Sequence, residues 1–133
     1  MAAKERPRLL VVDDDSLITS TFEAILRSEG YDVITAQDGK EALELVRQAP
    51  FDLVLLDLLL PDMDGWTVLQ HLREIRPRTR VVILCADVDA KGTIEAFRLG
   101  AVDVLLKPPD VDKLLRFVDD LTRREEDGPR TMG

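Results

Sequence analysis

Short apolar runs alternate along the chain with longer segments whose apolar residues recur at helical spacing. The runs are Arg8–Val12 (RLLVV), Asp32–Ala36 (DVITA), Asp52–Leu56 (DLVLL), Arg80–Cys85 (RVVILC) and Val102–Leu106 (VDVLL). Their length and content of β-branched and leucine side chains predict strands. A first helix is expected over Ser16–Ser28, with Leu17, Ile18, Phe22, Ile25 and Leu26 on one face and Gly30 as its C-terminal cap. Asp38-Gly-Lys-Glu41 has the spacing of a capping box, and the helix it opens stops before Pro50. Further helices are expected near Gly65–Arg76, ended by Pro77, near Val88–Leu99, closed by Gly100, and from about Asp110 to Arg124.

Five strand–helix units with short connections predict one α/β domain. Runs as continuously apolar as VVILC need both faces covered, which implies a parallel sheet between helices. Right-handed crossovers then give a doubly wound fold, and five units favour the flavodoxin-like strand order 2-1-3-4-5 over a closed eight-unit barrel. The length, 133 residues, suits a single core.

Charge narrows the function classes. Eighteen basic and 26 acidic residues leave a net charge of −8, against direct nucleic-acid binding. No apolar run approaches the roughly 20 residues of a membrane span, and the N-terminus lacks a secretory apolar core. A single cysteine forms no internal disulfide and fits a reducing cytoplasm. His71, the one histidine, belongs on a solvated helix face, and Trp66 reads as a local packing group. The alternating charges Asp112, Lys113, Arg116, Asp119 and Asp120, and the run Arg123–Asp127, read as solvated helix surface.

In an open parallel sheet, functional groups gather beyond the carboxyl ends of the strands. Those ends carry Asp13 and Asp14 after the first strand, Asp57 after the third, Cys85 at the end of the fourth and Lys107 after the fifth. Strands one and three are neighbours in the expected order, so the three carboxylates converge. Two carboxylates about 4 Å apart repel by roughly 4 kcal/mol at an effective dielectric near 20. A proton or a cation must relieve this, and hard oxygen donors without His or Cys suit Mg²⁺, with Mn²⁺ as a substitute. A divalent cation with Lys107 is the electrostatic set that holds a phosphoryl group, and Asp57 is placed to accept one. Any one of these acids alone reads as a helix cap, as Asp15 does.

The stretches LLVVDDD at 9–15, DLVLLDLLLPDMDG at 52–65 and GAVDVLLKP at 100–108 resemble the receiver (CheY-like) domain of two-component response regulators. The resemblance covers about residues 8–124. It leaves 1–7 as an N-terminal extension and 125–133 as a mobile tail or the start of a linker. It implies a phosphorylation-controlled signalling switch, not an enzyme with a diffusible substrate. Asp57 would take the phosphoryl group from a sensor histidine kinase or a phosphotransfer protein. Asp14, Asp57 and the backbone carbonyl of Leu59 would bind Mg²⁺ directly, and Asp13 would act through a water. Lys107 would contact a phosphoryl oxygen, with a cis peptide bond before Pro108 aiming it. Met63 and Gly65 would shape the loop.

The resemblance further implies an output through the fourth helix, fifth strand and fifth helix. That surface would meet a downstream protein, a fused output domain or a second copy of the chain. Two positions depart from the family pattern. Cys85, followed by Ala86, stands where Thr or Ser is usual, and Val104 stands where the family has a switch aromatic. Two rival readings are an Asp57-dependent hydrolase of the haloacid dehalogenase type, whose second aspartate is replaced here by Leu59, and a receiver-like module that only binds partners.

Overall fold

The computed structural model describes residues 6–86, 89–107 and 109–126, with backbone only at 90 and 123–126. Five strands and five helices alternate: β1 (Arg8–Val12), α1 (Ser16–Ser28), β2 (Asp32–Ala36), α2 (Gly39–Gln48), β3 (Leu53–Asp57), α3 (Gly65–Ile75), β4 (Arg80–Cys85), α4 (Ala90–Arg98), β5 (Asp103–Leu106) and α5 (Val111–Glu126). The strands form one all-parallel sheet in the order β2-β1-β3-β4-β5. Fold class and strand order are those expected from the sequence. Pro108, Asp127 and the rest of the C-terminal tail, and residues 1–5 of the extension, lie outside the described residues.

Strict alternation sends successive strand residues to opposite sides of the sheet. Leu10, Val12, Val54, Leu56, Val81 and Ile83 pack against Ala42, Leu43 and Val46 of α2, Val68, Leu69 and Leu72 of α3, and Ala96 of α4. Leu9, Val11, Leu53, Leu55, Val82, Leu84 and Leu105 pack against Phe22 and Leu26 of α1 and Leu114, Val118 and Leu121 of α5. Each such aliphatic side chain contributes about 1.5–3 kcal/mol on burial. This two-sided burial is why the strands read as unbroken apolar runs.

The α1 face differs from expectation. Thr19, Phe22 and Leu26 are its buried residues, whereas Leu17 is 74% exposed. Positions 19, 22 and 26 keep the i, i+3, i+7 stripe, and Thr19 satisfies its buried hydroxyl by donating to the Ser16 carbonyl (3.1 Å). Two helices end as read. Gly30 (φ +95°) and Gly100 (φ +103°) adopt a left-handed conformation that only glycine takes at little cost. At each, paired backbone bonds close a Schellman cap: Gly30 to Arg27 and Tyr31 to Leu26, then Gly100 to Phe97 and Ala101 to Ala96. α5 continues to Glu126, two residues past the expected end, since no glycine or proline interrupts it before Gly128.

The groups that cap the helix ends separate along the strand direction. Asp15, Asp38, Asp64, Asp89 and Asp110 cap the N-termini of the five helices, all at the carboxyl end of the sheet. At the other end, arginines hold helix and loop carbonyls. Arg76 donates to the Val46 and Arg47 carbonyls at the end of α2, Arg73 to Pro77, and Arg80 to Leu121 on α5. Both sets complement the helix dipoles.

Candidate functional site

Parallel register builds the site. Val12 pairs with Leu56 across β1 and β3, so the residues that follow, Asp13 and Asp57, emerge side by side. The Asp13 N–H still donates to the Ala36 carbonyl (3.1 Å), and the Lys107 N–H donates to the Cys85 carbonyl (2.8 Å). The ladder thus runs one residue past β1 and β5 and fixes both backbones at the rim. Carboxylate oxygens of Asp13, Asp14 and Asp57 lie within 4.8 Å of one another. They open into a cleft of about 520 Å³ lined also by Asp15, Leu58, Leu59, Cys85, Ala86 and Lys107. The expected convergence of two strand ends is therefore present.

Asp13 (1% exposed) and Asp57 (4%) are buried, and Asp14 is exposed at the mouth. Lys107 bridges the two buried acids, with its Nζ 2.7 Å from Asp13 Oδ2 and 3.5 Å from Asp57 Oδ1. Asp13 is engaged on both oxygens, because the Asp15 N–H donates to its Oδ1 (3.0 Å). Burial, then the nearby charge of Asp13, push the Asp57 carboxyl above its ordinary value of 3.8, against the pull of Lys107 and a hydrogen bond from the Leu59 N–H. Burial works to lower the Lys107 ammonium, but its hydrogen bond to Asp13 and the charges of Asp13 and Asp57 outweigh this and raise it. Lys107 therefore stays protonated at neutral pH.

Three carboxylates against one ammonium leave a surplus of negative charge. All donors are hard oxygens, and the Asp14 carboxylate is exposed at the mouth. This set fits Mg²⁺ or a similar hard divalent cation.

The loop from Leu58 to Asp64 forms one wall. It is pinched at its base by the Gly65 N–H donating to the Leu58 carbonyl (3.1 Å) and by a bridge between Leu59 and Asp64. A Cβ on Gly65 would sit 2.5 Å from Leu58 Cα, so this pinch requires glycine. Leu59 is 80% exposed. Cys85 is buried in the cleft wall and Ala86 is exposed beside it. Val104 is half-buried on the α2–α4 side of the sheet, opposite Ile83. Of the residues set apart from the site, Trp66 is half-buried against the core and exposed His71 lies 3.6 Å from Glu74. Asp119 accepts a hydrogen bond from the Tyr31 hydroxyl (3.3 Å) rather than facing water alone.

One residue escaped the sequence reading. Asp62, at the loop tip, accepts from the Gly39 N–H (2.8 Å) and the Lys40 N–H (2.9 Å) at the start of α2. Pro61-Asp62 signals a turn, but nothing local points to partners 22 and 23 residues away. Asp38 caps only the Glu41 N–H (2.8 Å), and Glu41 reaches back to the Gln37 N–H (3.0 Å), one residue short of the expected box partner.

A family model described as the response regulator receiver domain matches residues 9–119. The transcriptional regulatory protein ZraR of Escherichia coli K12 is 42% identical over 106 residues, covering 80% of this chain and 24% of ZraR. The cell cycle transcriptional regulator CtrA of Caulobacter vibrioides is 36% identical over 119 residues, covering 90% of this chain and 52% of CtrA. The chain thus spans a quarter to a half of these curated relatives. Among solved structures, a CheY-like receiver domain protein from Methanospirillum hungatei JF-1 superposes with a TM-score of 0.86 at 30% identity, covering 93% of this chain and all of that one. Chemotaxis protein CheY4 of Vibrio cholerae gives 0.84 at 28% identity, covering 88% and 99%. With its 2-1-3-4-5 sheet and its acids at the ends of β1 and β3, the chain belongs to the receiver domains of two-component response regulators.

Proposed function

We propose that this receiver, over residues 8–124, takes a phosphoryl group on Asp57 from a phosphohistidine of a sensor kinase or phosphotransfer protein, in a Mg²⁺-dependent reaction. The observation that carries this is the packing of three carboxylates within 4.8 Å, two of them bridged by Lys107. Asp14, Asp57 and the Leu59 carbonyl hold the cation. Asp13, already occupied by Lys107 and the Asp15 N–H, acts through a water. When bound, Mg²⁺ neutralises charge on the transferring phosphoryl oxygens.

An Asp57 oxygen attacks phosphorus as the P–N bond to imidazole breaks, giving an acyl phosphate and a free histidine. Lys107 swings between the carboxylates and a phosphoryl oxygen and keeps that oxygen's charge compensated. Its short bridge to Asp13 and Asp57 supports this role. The same pocket admits the water that later cleaves the acyl phosphate, so the domain catalyses its own phosphorylation and dephosphorylation and no other turnover.

The added charge, about −1.5 to −2, is transmitted to the α4–β5–α5 surface. Exposed Ile94 and Phe97 of α4, Leu106 of β5 and Val111 of α5 support that surface as a contact site for a downstream protein, a fused output domain or a second copy. Cys85 supplies a thiol, a weaker donor than a hydroxyl, and Val104 has no ring to swing inward. Signal transmission from phosphoryl group to surface is therefore weaker or differently routed than in receivers with the usual pair. A cytoplasmic location follows from the kinase chemistry. Among the described residues, no helix is long and apolar enough to cross a membrane.

Incubation with acetyl phosphate and Mg²⁺, followed by intact mass measurement, tests the acceptor. One phosphoryl group is expected on the wild type, none on Asp57→Asn and none after chelation. A wild type that stays unmodified overturns the proposal. Spectra with and without beryllofluoride test the transmission. A full shift of α4 and β5 of the usual kind overturns the atypical switching.

A further inference from the structure

The wall of the cleft is anchored at its tip as well as at its base. The loop 58–64 leaves β3 at Asp57 and returns at Gly65, with its base closed by Gly65 and Leu58. Its tip projects toward α2. There Asp62 takes two N–H donors of α2 at once, Gly39 through Oδ1 and Lys40 through Oδ2. Met63, next along, packs over Gly39 so closely that a Cβ there would collide with Met63 Cγ. Asp38 holds the third free N–H, that of Glu41. The first turn of α2 is thus capped by two aspartates from different places, one local and one belonging to the loop. Gly39 is buried, so its N–H has poor access to water in place of Asp62.

We propose that Asp62 is a positioning residue, which clamps the tip of the 58–64 loop to α2 and so holds the Leu59 backbone in place for the cation. This rests on the Mg²⁺ reading above and deepens it. The argument is geometric. Leu59 sits at the inner edge of the base, where it bridges to Asp64, and the stretch of loop that leaves it toward the tip is held at its far end by the clamp at Asp62. Its own side chain is 80% exposed and anchors nothing. Without the carboxylate, Leu60 and Met63 packing alone would restrain the tip. Burial raises the Asp62 carboxyl, but hydrogen bonds from the backbone N–H groups of Gly39, Lys40, Asp62 and Met63 together outweigh it and hold the carboxyl below its usual range. Residues that orient a metal ligand without touching the metal typically change affinity 10- to 100-fold.

The test compares Asp62→Ala and Asp62→Asn with Asp38→Ala in the full chain. Asp38→Ala removes the other cap of the same helix and leaves the loop untouched. Two readouts are taken: Mg²⁺ affinity by calorimetry, and amide exchange of Gly39, Lys40 and 58–64 in metal-free protein. Asp62→Ala is expected to weaken Mg²⁺ binding about tenfold and to speed exchange across the loop. Asp62→Asn, which keeps one acceptor, should fall between it and the wild type. Asp38→Ala should lower stability yet bind Mg²⁺ within about twofold of the wild type. The proposal is overturned if both Asp62 variants bind like the wild type, or if Asp38→Ala weakens binding as much. Should Asp62→Ala not fold, Asp62→Asn decides by the same criteria. A wild type that fails to bind Mg²⁺ sinks the parent reading instead, and unchanged loop exchange in the metal-free variants then overturns the clamp by itself.

Discussion

Replacing Lys107 by methionine removes the one ammonium from a pocket with two buried carboxylates. Its Nζ lies 2.7 Å from Asp13 and 3.5 Å from Asp57. At an effective dielectric near 20, those contacts correspond to gross attractions of roughly 6 and 5 kcal/mol. Most of this only offsets the cost of taking the ammonium out of water, a cost that methionine escapes. What remains is the penalty of leaving buried charge unpaired, about 3–5 kcal/mol. At about 3–4 °C per kcal/mol for a chain of this size, Tm falls by roughly 10–20 °C at pH 8 without metal.

The pH dependence follows from Asp57. Its carboxyl already titrates above 3.8 in the fold, and losing the lysine raises it further. An acid whose folded pKa is raised penalises the fold fully above that pKa. Stability is regained as pH falls through the folded value toward 3.8. The deficit of Lys107→Met should therefore shrink between pH 8 and pH 5. Mg²⁺ at 100 times its Kd should return about 2.7 kcal/mol. Thermal melts at both pH values, in EDTA and in Mg²⁺, measure all of this. A deficit below about 1 kcal/mol at pH 8, or one equal at both pH values, would refute the reasoning.

Asp57→Asn removes the buried charge itself, so the metal-free variant should melt higher than the wild type at pH 7, and the gain should vanish toward pH 4; calorimetry across that range checks the sign. Cys85→Thr should keep the fold within about 1.5 kcal/mol and enlarge the beryllofluoride-induced shift at Val104, read from amide resonances. Gly65→Ala forces a Cβ against the Leu58 backbone and should cost about 1–3 kcal/mol in urea unfolding while opening the loop base.

Both-sided burial made the sheet legible, because a strand covered on each face leaves an unbroken apolar run. The acid ends of β1 and β3 were legible for a related reason: the strand order follows from topology, and topology brings those ends together. The α1 face departs from the apolar spacing at Leu17. Spacing alone cannot distinguish a stripe starting at Leu17 from one starting at Thr19 when a threonine buries its hydroxyl against its own helix. The capping box was half right for the same local reason, as Glu41 chose the Gln37 N–H. Asp62 was out of reach because its partners come from another element. Lys107 was placed in the pocket by its strand, but its closer approach to Asp13 than to Asp57 depends on side-chain geometry that no strand end encodes.

The five capping aspartates and the three cleft acids share the carboxyl end of the sheet and make that end an electronegative face. A protein presenting a cationic face is turned toward the cleft before it touches anything, and one presenting an anionic face is turned away. At physiological salt this torque acts only over the last 8 Å or so of approach, so encounter rates with a basic phosphodonor surface fall steeply as salt rises, while the lifetime of the docked pair changes little.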